Sequence, residues 1–236
     1  MRLSFRQERV LAVVAHPDDA ELLCAGTLAR ARADGAAIAL CVLCRGDKGQ
    51  PDPPIENLAG VRHRELLEAA ELLDATLFES GFGDGELFDS YEARRQVMQT
   101  YRDFQATLVL AHWPNDYHPD HRAAAALAEA ASWLCASAGH RTASRPLAAP
   151  PALWWMDAVN MADFVPGVFI DVSPYVPLKQ KMLACHRSQL QRGSRADFSP
   201  LEEVMLRQCA MRGAQCGVAA AEAFRTHMAW KRARAW

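Results

Sequence analysis

Apolar runs along this chain alternate with amphipathic stretches. Residues 10–15 (VLAVVA) are continuously apolar and rich in β-branched side chains, with charge before them and a His-Pro turn after. A strand covered on both faces of a parallel sheet has this pattern, because none of its positions meets water. Asp18 and Asp19 then open a helical stretch over about 20–34 that Gly35 closes. Carboxylates favour the positive end of a helix and glycine favours its exit. The pattern continues with a buried strand over 37–43 and a helix over 58–73, where Leu58, Val61, Leu66, Leu67, Ala70 and Leu73 share a face. It predicts a short strand over 75–78, a helix over 90–104, a buried strand over 108–111 and a helix from Arg122 to about 137. Strands over 152–156 and 168–171, a helix over 177–186 and a mostly helical tail over 201–223 follow.

Strand and helix thus alternate, which predicts an α/β, Rossmann-like three-layer domain with a mostly parallel sheet. The Ala-, Pro- and Ser-rich stretch 138–151 reads as a surface loop, so residues 1–236 are expected to form a single domain. In such sheets ligands bind outside the carboxyl ends of the strands. The two most polar motifs fall there: HPDD after the first strand and HWPNDYHPDH after the strand over 108–111.

Composition narrows the class. Half of the 236 residues are hydrophobic and 23% are charged, an ordinary globular balance. A formal net charge of −2 speaks against nucleic-acid binding, which usually needs a basic face. No apolar run reaches membrane-spanning length, and charges occupy the place of a signal peptide's apolar stretch. Seven scattered cysteines, an odd number, read as reduced thiols, and the cytoplasm is the expected compartment.

His16 and Asp19 are three apart across a strand-to-helix turn, so their side chains can converge at the sheet edge. Imidazole plus carboxylate is a usual pair for catalytic zinc, which keeps one position open for water. His118 and His121 repeat the spacing, with Pro119 suited to a first helical position. These groups exceed what ligation needs, and hydrolysis uses the surplus as a base and an oxyanion stabiliser. Cys41-Val-Leu-Cys44 lacks a second pair and reads as core thiols. Gly81 to Gly85 reads as a turn or pocket loop rather than a dinucleotide site. Trp113 and Tyr117 suit either sugar stacking or surface packing, and Trp154-Trp155 suit the core.

The stretches VAHPDDAELLCAGTLARA, CRGDKGQ, VRHRE, HWPNDYHPDHRAAA, FIDVS and CHRSQ together resemble the PIG-L/LmbE family of zinc-dependent N-acetylglucosaminide deacetylases, over nearly the whole chain. They look most like the bacterial branch that includes the bacillithiol-biosynthesis deacetylases. Many members carry Glu directly after the second Asp of HPDD; here Ala20 stands there and Glu21 follows.

The resemblance implies that His16, Asp19 and His121 hold Zn²⁺, with Fe²⁺ compatible with the same ligands. It implies Asp18 as general base, a protonated His118 stabilising the oxyanion with Asp120 orienting it, and Arg62 on sugar hydroxyls. The implied reaction is hydrolysis of an N-acetylated sugar or sugar conjugate of N-acetylglucosamine type to acetate and a free amine. An amide hydrolase of the same superfamily acting on another acylated conjugate, such as an antibiotic, is the alternative. Relatives often assemble into homo-oligomers. A nucleotide-binding transferase would need a glycine-rich turn where HPDD stands, and an inactive binding relative would be expected to lose a ligand or the base.

Overall fold

The computed structural model describes residues 3–190, 200–230 and 234. Seven strands form one sheet: β1 (Arg9–Val14), β2 (Ala37–Cys44), β3 (Thr76–Phe82), β4 (Leu108–Ala111), β5 (Ala152–Met156), β6 (Val168–Asp171) and β7 (Ala221–Thr226). Their order is β3-β2-β1-β4-β5-β7-β6. The first five pair in parallel, whereas β7 runs antiparallel to both β5 and β6. The sheet is therefore mostly parallel, as its apolar runs predict.

Helices α1 (Asp19–Leu23), α2 (Ala25–Ala33), α3 (Leu58–Leu73), α4 (Tyr91–Phe104), α5 (Pro119–Leu134), α6 (Val176–Cys185), α7 (Arg187–Leu190) and α8 (Leu201–Cys216) cover both faces. The alternation of side chains along β1 separates two cores. Val10, Ala12 and Val14 pack with residues of α2, α3, α6 and α8, while Leu11 and Val13 pack with residues of α4 and α5. Burial on both faces is why β1 carries no polar position after Arg9.

Two elements differ from the pattern-based reading. The helix predicted over 20–34 is broken at Cys24, whose φ of −146° is not helical. The break exposes new backbone donors, and the Glu222 carboxylate on β7 accepts from Gly26 N (2.9 Å) and Thr27 N (2.7 Å). A cap supplied from 195 residues away has no local sequence signal. The second difference is β7, which falls inside the tail read as helical. Ala-Glu-Ala-Phe-Arg-Thr has no marked period, and tertiary pairing between β5 and β6 decides its state.

β1 leads to β2 on one side and neighbours β4 on the other, so the chain reverses direction across the sheet between β1 and β4. A crevice opens at such a switch point, beyond the strand ends. Both His-Asp motifs emerge there.

Candidate metal centre

The turn after β1 places His16 to Asp19. Asp18 adopts φ 103°, a left-handed conformation rare for a residue with a side chain, immediately before α1. Strain of this kind persists where surrounding contacts over-determine it, and it concentrates at functional positions. The Asp19 carboxylate turns back under the strand end. Its Oδ2 accepts from His16 N (2.7 Å) and lies 3.5 Å from His16 Nδ1 and 3.2 Å from His112 Nε2. Its Oδ1 lies 3.3 Å from His121 Nε2.

Beyond β4, His118 caps α5 and Pro119 takes its first turn, which brings His118 and His121 onto the crevice. His16, His118 and His121 have nitrogens within 4.8 Å of one another. Asp19 is thus brought to His16 and His121, and Asp18 and His118 border the same cavity.

A metal fits this donor set on its own chemistry. Asp116 Oδ1 lies 3.0 Å from His121 Nδ1 and accepts its N–H, so that a neutral His121 aims its Nε2 lone pair at a carboxylate oxygen. Two acceptors facing each other need a cation between them. Burial opposes charge on His16, yet Asp120 and Asp19 raise its pKa to about 10. Burial likewise opposes charge on His121, and Asp19 and Asp116 lift it to about 9. Burial would raise Asp19, but His121 and His112 hold it well below the ordinary carboxylate range. The cluster is built for positive charge, which two protons supply when a metal does not.

Other placements refine the expectations. Asp120 was expected to orient His118; instead its carboxylate meets His16 Nε2 (3.1 Å) and accepts from Gly85 N (2.7 Å). Only its backbone N–H reaches His118, donating to Nδ1 at 3.1 Å. An imidazolium cannot accept that bond, and burial together with His121 and His16 lowers the His118 pKa. Both observations favour a neutral His118 ring with its proton on Nε2 over the protonated ring that the resemblance implies. Arg62, expected on sugar hydroxyls, borders the cavity, where it is largely buried and pairs with Asp18 Oδ2 at 3.0 Å while donating to the Pro17 carbonyl. Burial raises the Asp18 pKa, against the opposing pull of Arg62.

Sequence reasoning missed His112, a buried ring stacked on His121 with centroids 4.0 Å apart, because a lone His at a strand end carries little signal. Glu21 and His186 are fully buried and face each other at 3.4 Å. The loop after β3 lines the site, Gly85 (φ +73°) bringing its amide to Asp120. Tyr117 borders the cavity, whereas Trp113 packs edge-on against Phe164. Trp154 and Trp155 are core residues. The cavity measures about 750 Å³ and has a polar side of His16, Asp18, Asp84 and His118. Leu22, Val159 and Leu201 also line it.

Fold and site together point to an α/β metallohydrolase whose candidate metal-binding side chains gather at a topological switch point. The profile described as PIG-L, GlcNAc-PI de-N-acetylase, matches residues 11–132, and the chain belongs to this family. That makes it an N-deacetylase, an enzyme of amide hydrolysis. The chain is 28% identical over 190 residues to diacetylchitobiose deacetylase of Thermococcus kodakarensis, covering 77% of this chain and 70% of that one. A 4-oxalmesaconate hydratase of Pseudomonas putida is 24% identical over 78% of this chain and 74% of its own. Among solved structures, a conserved protein of Thermus thermophilus superposes with a TM-score of 0.80 at 30% identity, covering 96% of this chain and all of that one. No helix among the described residues is long and apolar enough to cross a membrane.

Proposed function

We propose that this protein hydrolyses the acetamide of an N-acetylglucosamine-type sugar or conjugate, with Zn²⁺ held by His16, Asp19 and His121. Fe²⁺ suits the same donors, and availability decides between the two. The observation that carries the reading is the Asp19 carboxylate set between two imidazoles, one oxygen 3.5 Å from His16 Nδ1 and the other 3.3 Å from His121 Nε2, on a cavity that Asp18 and His118 also border. When bound, the ion supplies an acidified water and polarises the acetamide carbonyl.

The side chains do the rest. Asp18, lifted by burial toward the range a base needs, takes the water's proton and returns it to the departing nitrogen. Arg62 fixes one oxygen of that carboxylate. His118 directs its Nε2–H at the carbonyl oxygen as charge gathers there. Asp120 and Asp116 stand behind His16 and His121 and hold their rings in the ligating tautomer. The cavity's volume and its aliphatic residues Leu22, Val159 and Leu201 favour a conjugate, sugar-linked or otherwise acylated, over a free monosaccharide.

The reading is tested by metal content together with acetate release from N-acetylglucosamine and diacetylchitobiose. Asp18→Asn should keep one metal per chain and lose about 10²–10⁴-fold in rate. A metal-free Asp18→Asn protein would overturn the division between base and ligands. A metal-loaded wild type that hydrates enol acids and releases no acetate would move the chain to the chemistry of its hydratase relative.

A further inference from the structure

His16 turns its two nitrogens toward two different donor clusters: Nδ1 faces Asp19 and Nε2 faces Asp120. On the Asp120 side lies Cys44, at the carboxyl end of β2. Its sulfur and donor atoms of His16 and Asp120 all lie within 4.8 Å of one another. We propose that His16, Cys44 and Asp120 form a second metal position, selective for thiophilic divalent ions such as Cd²⁺ and surplus Zn²⁺, whose occupation inhibits the enzyme.

Geometry is the first support. Two donors bonded at about 2.0–2.1 Å in a tetrahedron stand about 3.3–3.4 Å apart. His16 Nε2 and Asp120 Oδ2 are 3.1 Å apart, so neither has to travel far. The three donors come from the turn after β1, the end of β2 and the first turn of α5, all part of the sheet's carboxyl edge. A fourth position can take water from the cavity, which His16, Asp84, Gly85 and Asp120 line.

Charge is the second. Cys44 is buried beside the Asp120 carboxylate. A cation placed there meets negative charge at once, and a metal deprotonates the thiol it binds. Binding therefore forms metal–sulfur and metal–nitrogen bonds and releases the Sγ and Nε2 protons to solvent. The sulfur makes this the softer of the two clusters, since the catalytic set offers only nitrogen and oxygen, so Mg²⁺ is excluded.

Inhibition follows from the shared residue and rests on the catalytic reading above. A second ion replaces the proton that His16 Nε2 shares with Asp120 and sets a second positive charge beside the first, which weakens His16 as a donor to the catalytic metal. Cys41, three residues earlier, is buried within β2 and takes no part.

The test uses zinc-loaded protein with Cys185→Ser and Cys216→Ser, which removes the half-buried and the exposed thiol. Titration with CdCl₂ should bind one further equivalent with an ultraviolet cadmium–thiolate band, and acetate release should fall in step. Adding Cys44→Ser should abolish the band and raise the inhibitory Cd²⁺ concentration about tenfold or more, with the first metal retained. Absence of the band, or unchanged inhibition in Cys44→Ser, overturns the proposal. If Cys44→Ser does not fold, X-ray absorption of the cadmium-loaded parent decides: one sulfur neighbour supports the site, and a shell of oxygen and nitrogen alone overturns it. Failure of the first equivalent to bind would instead sink the catalytic metal reading, which keeps the two failures apart.

Discussion

Asp116 never reaches the metal point, yet its removal should be felt there. One carboxylate oxygen takes both the His118 N–H at 2.9 Å and the His121 Nδ1–H at 3.0 Å. The residue is 2% exposed, so water cannot stand in for it. Asp116→Asn preserves shape and one acceptor oxygen but removes the charge that makes His121 basic. Carboxylates behind metal-bound imidazoles typically contribute about 10–100-fold in affinity, or roughly 1.4–2.7 kcal/mol. Asp116→Ala would in addition leave the buried His121 N–H unmet, at about 1–3 kcal/mol in stability, and the half-buried His118 N–H without its partner. Competition with a chromogenic chelator gives the affinity, and calorimetry gives the stability. At saturating metal Asp116→Asn should recover most of its turnover, since it positions a ligand and touches no substrate. Affinity within about twofold of wild type would refute the assignment.

Further outcomes follow from the same geometry. His16 and His121 carry protons in the metal-free protein until about pH 10 and 9, so binding must displace two protons. Metal affinity should rise up to about a hundredfold per pH unit below pH 9 and level off above 10; a flat profile near neutrality would contradict the two shifts. Because both pKa values lie above the unfolded value of about 6.5, their stabilisation of the metal-free fold is complete below that pH and lost through 9–10. Thermal melts of stripped protein should show this loss, and metal-loaded protein should resist it. His118→Ala should retain metal and slow turnover by about 10²–10³-fold, read by acetate release. Gly26→Ala should destabilise by about 1–3 kcal/mol in denaturant melts, because a Cβ there would lie 2.7 Å from Val172 Cβ.

What could be read from sequence was whatever is contiguous. HPDD and HPDH each sit on a few consecutive residues beside a strand whose apolar run is unmistakable, so the candidate ligands and candidate base stood out together. The strands over 108–111, 152–156 and 168–171 and the helix over 58–73 matched for the same reason, their periodicity being local. The partners of those side chains were another matter. That Asp120 serves His16 and not His118 depends on how α5 packs over the turn after β1, and Arg62 reaches Asp18 only because α3 lies beside it. Cys44 looked like a core thiol because strand burial is all that the sequence around it encodes. Its place beside His16 follows from the parallel register of β1 and β2, which aligns Val14 with Val42.

The Glu222 carboxylate has a consequence for the order in which this enzyme can be made. It holds the start of α2, and Lys179 ties it to the Leu22 carbonyl of α1, the helix that carries Asp19. The helix of Asp19, one of the proposed ligands, is thus braced by a strand about 200 residues further along the chain. A ribosome releases the two about 195 residues apart, and contacts of such separation are slow to form. A nascent chain that already contains every proposed ligand and the proposed base lacks the brace until β7 has emerged. A chain cut short of β7 would carry those residues without the support that holds α1 and the start of α2.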